Sequence, residues 1–216
     1  MDPVWELYHE NSKNGRRLGA EDPRPSLPDP RSGPPSRRPL VALGPPLQQE
    51  AGGAAPLVSA RGFTRTALSR LLAIPPPADA DLVLLAIHAP AVIDLTVGLY
   101  FFDPGAHALA LEKSRDLSAR LASAVLPAGL PAGSPLQVLI ASELGLAAAR
   151  HGERGYRRAL MAAGAWSQAV ADAAAGMGLR TDRLDFYDRE VDDLLGLDGL
   201  TRGTVAVLAI VPGERG

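Results

Sequence analysis

Three short runs of apolar residues recur along the chain, each bounded by residues that favour turns. They span residues 81–89, 135–142 and 205–211, and valine, leucine, isoleucine and alanine supply most of each run. Continuous apolar runs of this length are typical of strands that are covered on both faces. The pattern therefore predicts three buried strands at the centre of a sheet.

A β-hairpin is predicted after the first of these strands. Residues 97–102 and 107–111 are both apolar, and they flank Asp103, Pro104 and Gly105. Aspartate, proline and glycine each favour a tight turn, so the two stretches are expected to pair with each other.

Helical spacing of apolar residues appears in four places. The predicted helices are 66–73, 116–126 and 189–195, together with a long helix that begins in the charged turn 150–157 and ends before Gly176. Residues 136–140 are expected to lead into that turn as a strand. Because hairpin strands and helices alternate irregularly, the predicted fold class is α+β with a central sheet.

The first 58 residues differ in character from the rest. Residues 1–13 predict a short N-terminal helical segment, and residues 14–58 contain prolines throughout, which indicates an extended arm or linker. Two interpretations stay open for this arm: a disordered linker, or an arm that wraps a partner subunit. Residues 40–43 are its one apolar stretch and give it a place to dock.

Composition narrows the possible functions. The 216 residues carry a net charge of −2 and no cysteine, which argues against a nucleic-acid-binding protein and excludes disulfides, thiolate metal sites and a cysteine nucleophile. No signal peptide is visible at the N-terminus, and the apolar runs are too short to span a bilayer. A cytoplasmic protein without a membrane segment is therefore expected.

For several individual polar or aromatic residues, a structural role is a simpler explanation than a functional one. His88 and His107 lie at a strand end and beside a turn, and Trp166 is expected to anchor a core or a dimer interface. The acids at 185, 188, 192 and 193 match no metal-binding loop, so a surface helix explains them and no metal site is predicted.

Four stretches together resemble the nitroreductase superfamily, and within it the SagB-type dehydrogenases that oxidise azoline rings in ribosomally made peptides. They are residues 5–13, 98–104, 155–179 (with Gly164 and Gln168) and 191–199. The resemblance extends over most of residues 66–212. It implies a nitroreductase-like domain at 59–216, with a central mixed sheet flanked by helices, a long buried core helix, and a domain-swapped dimer that binds FMN between its subunits.

The chain departs from the pattern of that family where FMN would be held. Of the family's arginine motif only Arg61 remains, with Arg65 nearby, and the serine- and glycine-rich loop before the first long strand is missing. Alanine stands at 162, 165 and 169, where the family has polar residues. The lysine-tyrosine pair of azoline oxidation falls on Arg150 and His151. Alanine cannot donate a hydrogen bond to a flavin, so these changes indicate an eroded site.

Three hypotheses follow from the resemblance. In the first, the chain is a subunit with an eroded FMN site that a catalytic nitroreductase-like paralogue completes in a homo- or heterodimer. In the second, the chain is an active FMN-dependent peptide oxidoreductase: Arg61 and Arg65 hold the phosphate, and Gly164, Ser167 and Gln168 face the flavin. Arg150 and His151 then replace the lysine-tyrosine pair, and His151 moves the proton. In the third, the chain is a non-catalytic scaffold that binds a peptide.

Overall fold

The structure, a computed structural model, describes residues 40–44, 58–59, 62–131 and 134–213. The predicted N-terminal helical segment, most of the proline-rich arm and Arg61 lie outside the described residues.

Within those ranges the chain forms short strands and five α-helices. The strands are β1 Leu40–Ala42, β2 Val58–Ser59, β3 Gly62–Thr64, β4 Val83–Ala89, β5 Val92–Ile93, β6 Gly98–Asp103, β7 Ala108–Lys113, β8 Val125–Leu126, β9 Leu136–Ser142, β10 Leu179–Phe186 and β11 Gly203–Pro212. The helices are α1 Arg65–Leu72, α2 Ser118–Ala124, α3 Leu144–His151, α4 Gly155–Ala175 and α5 Asp188–Leu195, with 3-10 turns at Ala80–Leu82 and Gly152–Arg154.

One large sheet organises the described residues. Its strand order is β1-β7-β6-β4-β9-β11-β10-β8, and every described pairing in it is antiparallel. Among the described strands, only β3 and β5, which belong to a small second sheet, pair in parallel. The predicted α+β fold with a central sheet is therefore confirmed, but the large sheet is antiparallel where the resemblance implied a mixed one.

Helices cover both faces of the sheet. On one face α1 and α4 pack through Leu68, Leu71, Trp166 and Val170. On the other face α2 and α5 form a second cluster that includes Leu121. Both faces of the central strands are thus covered, which explains why their sequences are continuous apolar runs instead of alternating ones.

The strongest sequence patterns correspond to observed elements. The three apolar runs form β4, β9 and β11, and the predicted hairpin is β6 paired with β7. Asp103 Oδ1 accepts hydrogen bonds from the backbone N–H groups of Gly105 and Ala106 at 2.9 and 3.0 Å. The aspartate thus fixes the turn in the way that the sequence predicts.

Two longer elements and the short strands β2, β3, β5 and β8 were not predicted. Residues between β9 and the charged turn form the helix α3, and Leu179–Phe186 form the eight-residue strand β10. The chain therefore runs from β9 through a full helix before it reaches the glycine-broken turn.

Glycine makes the turn between α3 and α4 possible. Gly152 has φ 59° and ψ −139°, a backbone conformation that other residues rarely adopt. A Cβ on Gly155 would overlap the carbonyl oxygen of Ala147 in α3. The two helices can pack this closely because Gly155 has no side chain.

The arm residue Leu43 is buried, with 5% of its surface exposed, while Leu40 is 59% exposed. Strand β1 pairs with β7 at only three positions. Burying one leucine stabilises the folded state by about 2 kcal/mol. This offsets the conformational entropy that is lost when about one or two residues become ordered. The described part of the arm is therefore held weakly.

The opposite side of the sheet ends differently. Only the last two residues of β10 pair with β8, so the outer edge of β10 from residue 179 to 184 has no described partner strand. Exposed charged side chains line this stretch, including Arg180 and Arg183, and Arg180 pairs with Asp182 at 3.0 Å. Charges of this kind discourage other chains from pairing with an edge strand.

A buried histidine connects the two central strands to the segment before α2. His88 is 1% exposed. Its Nε2 accepts the backbone N–H of Leu117 at 3.1 Å, so Nδ1 carries the proton and donates to Gln137 Oε1 at 2.7 Å. Gln137 in turn donates to Ser134 Oγ at 2.9 Å. His88 is therefore held in one neutral tautomer.

Burial lowers the pKa of His88 below its ordinary value of 6.5, despite the hydrogen bond to Gln137 and the nearby Asp116 carboxylate, which both raise it. The unfolded chain consequently binds a proton at this residue at a higher pH than the folded chain does. We expect the free energy of unfolding to fall as the pH drops below about 6.5, with a slope of at most about 1.4 kcal/mol per pH unit from this group.

Urea unfolding of the wild type and of His88→Gln between pH 5 and 8 measures this contribution. The variant should be less stable near neutral pH, because it disturbs the buried hydrogen bonds, and should lack this part of the pH dependence. Equal pH slopes in the two proteins would show that His88 titrates alike in the folded and unfolded states.

Candidate functional site

Arg150 and His151 lie at the C-terminal end of α3. The Arg150 guanidinium donates from Nη1 to Asp81 Oδ2 in the 3-10 turn before β4. His151 is half-buried and is the last residue of the helix. The pair is thus placed together, and the cation of Arg150 is used to join α3 to the start of β4.

The cofactor-binding candidates on α4 form a separate group. Gly164, Ser167 and Gln168 lie three and four residues apart, so they share one side of the helix. Ser167 follows Gly155 by twelve residues, which corresponds to about 18 Å along the helix axis. Since His151 precedes α4, one protomer does not bring His151 and these residues into one cluster.

The same three residues offer few groups to a ligand. Ser167 is buried, with 5% of its surface exposed, and Gly164 has no side chain. The Gln168 amide donates to Asp172 Oδ1 at 2.8 Å and accepts from Arg183 at 3.0 Å. The most polar candidate on the helix is therefore already engaged at both ends by its own chain.

Arg65 is the first residue of α1, where Thr64 caps the helix by accepting the N–H of Ala67 at 3.1 Å. Its side chain is half-buried. A cation and free N–H groups at a helix start suit a phosphate, but the second arginine of the predicted pair, Arg61, lies outside the described residues.

These residues do not fit a complete FMN site within one chain. A flavin needs donors near its ring oxygens as well as cations at its phosphate. Of the helix candidates, Gly164 provides no donor, Ser167 is buried, and Gln168 is bound to Asp172 and Arg183. A flavin bound by these residues alone would therefore lack donors at its ring oxygens.

An open cavity of about 540 Å³ lies where β4 and β11 begin and β6 and β9 end, a site that the sequence analysis did not predict. Its charged lining includes Asp81, Asp103, Glu143 and Arg202. Glu143 is only 4% exposed and accepts from Arg202 Nε at 3.0 Å. Glu143 and Arg202 therefore pair with each other in the lining, while Asp81 pairs with Arg150 and Asp103 holds the hairpin turn.

The loop before β11 presents Arg202 to this cavity. Asp198 Oδ1 accepts the N–H groups of Leu200, Thr201 and Arg202 at 2.8 to 3.0 Å. Hydrogen bonds hold the pKa of Asp198 far below its usual range, and the one from the Thr201 side chain contributes most. The loop is consequently fixed by its own aspartate.

One of the acids assigned to a surface helix is in fact buried. Asp192 is 5% exposed, and its Oδ1 accepts both the N–H and the hydroxyl of Thr204 at 2.7 Å. It fastens α5 to the start of β11. Among the described residues, no group of three histidine or acidic side chains is arranged to hold a metal ion.

Trp166 is 1% exposed, which confirms a core position. Its indole Nε1–H has no hydrogen-bond partner among the described residues. In the described ranges, no helix is both long and apolar enough to cross a membrane.

Comparison with known proteins reveals relatives only at the level of structure. No protein-family model and no curated protein sequence matches the chain. A solved structure of a protein assigned as a nitroreductase from Anabaena variabilis superposes with a TM-score of 0.72 at 22% identity. The match covers 96% of this chain and 46% of that one, so the chain spans less than half of the length of this relative.

Two further structures agree with this match. A protein assigned as a nitroreductase from Ralstonia eutropha has a TM-score of 0.59 at 17% identity, over 82% of this chain and 90% of that one. The McbBCD microcin synthetase complex of E. coli, solved with truncated pro-MccB17 bound, contains a chain with a TM-score of 0.61 at 16% identity. That match covers 99% of this chain and 83% of the other. At these identities the likeness concerns architecture, and the chain therefore has the nitroreductase fold.

Proposed function

We propose that the chain is a nitroreductase-like, SagB-type subunit of an FMN-dependent dehydrogenase that matures ribosomally made peptides, and that a catalytic paralogue completes its flavin site. The observation that carries this proposal is that the candidate flavin-binding side chains of α4 are buried or already hydrogen-bonded. Gln168 is engaged by Asp172 and Arg183, and Ser167 is buried. A flavin beside α4 would need most of its donors from another subunit.

The structural relatives support an assembly. One of them is a chain of a synthetase complex that holds a truncated pro-MccB17. Another is more than twice as long as the part that this chain matches. The first supports a complex that acts on a peptide, and the second leaves room for another domain beside a unit of this size.

The exposed side of α4 supports a partner subunit at the helix itself. Tyr156, Leu160 and Met161 are 49%, 36% and 68% exposed, and the small residues Gly164 and Ala165 continue the exposed surface toward the middle of the helix. Large apolar side chains grouped on one helix are typical of an interaction surface. We infer that a homologous subunit covers this side of α4 in a homo- or heterodimer.

An active FMN-dependent enzyme is the second candidate, and His151 favours it. The imidazole is half-buried at the end of α3, and histidine can accept a proton near neutral pH. In that case Arg150 would supply the cation of the pair and a partner subunit would bring the flavin to His151. A non-catalytic peptide-binding scaffold is the outcome if no flavin is bound in any assembly.

Flavin content distinguishes a subunit with an incomplete site from a complete enzyme. We expect the protein purified alone to be colourless, and the protein copurified with a nitroreductase-like paralogue encoded beside it to show flavin absorbance. Flavin released by denaturation and quantified against protein gives the stoichiometry. One FMN per chain in the protein purified alone would contradict the proposal and favour the active enzyme.

A charged substitution on the exposed side of α4 tests whether a subunit covers it. Met161→Glu should weaken subunit association by about tenfold or more, because it buries a charge in an apolar contact. Light scattering during gel filtration over a concentration series measures the change. Tyr187→Glu is the matched control, since Tyr187 is 51% exposed and lies outside α4. Equal association of both variants and the wild type would place the interface elsewhere.

A substitution at His151 separates the non-catalytic subunit from the active enzyme. If the paralogue performs the chemistry, His151→Ala should leave the turnover of the complex within about twofold of the wild type, whereas loss of a general base costs about 100-fold or more. Azoline oxidation measured by mass spectrometry provides the rate. Arg154→Ala in the adjoining exposed turn controls for local disturbance.

A further inference from the structure

Residues Leu40 to Gly44 form a short segment that is docked on the large sheet. They lie along the outer edge of β7, where Leu40, Val41 and Ala42 pair with Ala110, Leu109 and Ala108. Residues 1–39 before it and 45–57 after it lie outside the described part of the chain. Within the described residues, the segment is thus joined to the domain by its contacts with β7 and α1.

Those contacts form a groove with a backbone edge and a side-chain pocket. Val41 and Leu43 face the core, and Leu43 is 5% exposed. Strand β7 provides the edge. Beyond it, the Leu43 N–H donates to the carbonyl oxygen of His107 at 3.3 Å. The groove therefore recognises both an extended backbone and a leucine.

A polar pair marks the end of the groove. Ser69 of α1 is 2% exposed, and its hydroxyl lies 3.5 Å from the Gly44 carbonyl oxygen and 3.0 Å from His107 Nε2. Gly44 has φ +83°, and among the described residues no atom beyond its chain neighbours lies within 4 Å of the position that a Cβ would take. Glycine is therefore favoured at this position by backbone conformation, while the space around it is open.

The sequence limits how far the segment can pair. Pro39 precedes Leu40, and Pro45 and Pro46 follow Gly44. Proline has no N–H group and cannot extend the ladder of hydrogen bonds. The docked unit is thus a short apolar strand that ends in leucine and glycine, bounded by prolines.

We propose that this groove is a strand-docking site for short extended peptides of the pattern apolar-apolar-small-leucine-glycine, and that Leu40–Gly44 occupies it reversibly as an internal ligand. Three ladder pairs, the buried Leu43 and the partly buried Val41 hold the five residues in place. Such a small docked element opens more readily than the core strands. A peptide that supplies the same contacts can take its place.

The pairing geometry explains the preference. Side chains of a strand alternate in direction, so the second and fourth residues of the peptide enter the core and the first and third face solvent. This agrees with the exposure of Leu40 at 59% and of Leu43 at 5%. In edge pairing of this kind, backbone hydrogen bonds provide the affinity, and pockets for every second side chain provide the specificity. The site would exist whether or not the chain binds a flavin.

Binding of a fluorescent peptide with the sequence of residues 37–47 to the full-length protein tests the proposal by fluorescence anisotropy. Gly44→Val in the protein should strengthen peptide binding by about tenfold, because a branched side chain at positive φ loosens the internal segment only. Leu43→Asp should strengthen it as well, since the charged side chain does not enter the pocket. Leu40→Asp is the matched control and should leave binding close to that of the wild type.

A peptide that itself carries the Leu43→Asp change should not bind any of these proteins. Circular dichroism and thermal unfolding establish whether each variant is folded. If Leu43→Asp is not folded, peptide binding to Gly44→Val alone tests the proposal. Equal binding of the peptide to wild type and Gly44→Val, or binding of the changed peptide, would overturn the proposal. Because no flavin or paralogue takes part, such a result would leave the proposed subunit function untouched.

Discussion

The burial of one side of α4 against the sheet is the contact on which the remaining structure depends. Ala163, Trp166, Val170 and Ala174 are all nearly inaccessible to solvent. Alanine lets a helix approach its neighbours closely, while the tryptophan fills the space beside α1. This packing also decides which residues are left for function, because only the opposite side of α4 can meet a partner or a cofactor.

The elements with the strongest local signals were predictable from the sequence. Continuous apolar runs identified β4, β9 and β11, and the Asp103 turn identified the hairpin. Helix α3 was missed because it is short and ends in Arg150 and His151, which are also typical of an exposed turn. Strand β10 was missed because polar and charged residues fill most of it, and they are tolerated where one side of the strand has no described partner.

The candidate site was less predictable, since the role of each residue depends on partners that are far away in the sequence. Nothing near Arg150 in the sequence identifies Asp81 as its partner, and nothing near Gln168 identifies Arg183. The buried Asp192 and Glu143 have the same residue type as exposed acids, and only the fold brings Thr204 and Arg202 to them. Sequence could propose the residue types for a cofactor, whereas the structure reveals which of them are already occupied.

The two ends of the large sheet differ in chemistry, and this difference limits how copies of the protein can assemble. One end carries β1 with an exposed leucine, and the other carries the charged stretch of β10. Head-to-tail growth would require these unlike ends to join repeatedly and would produce a filament. Because the charged end resists such joining, this edge of the sheet disfavours filament growth by strand pairing between copies.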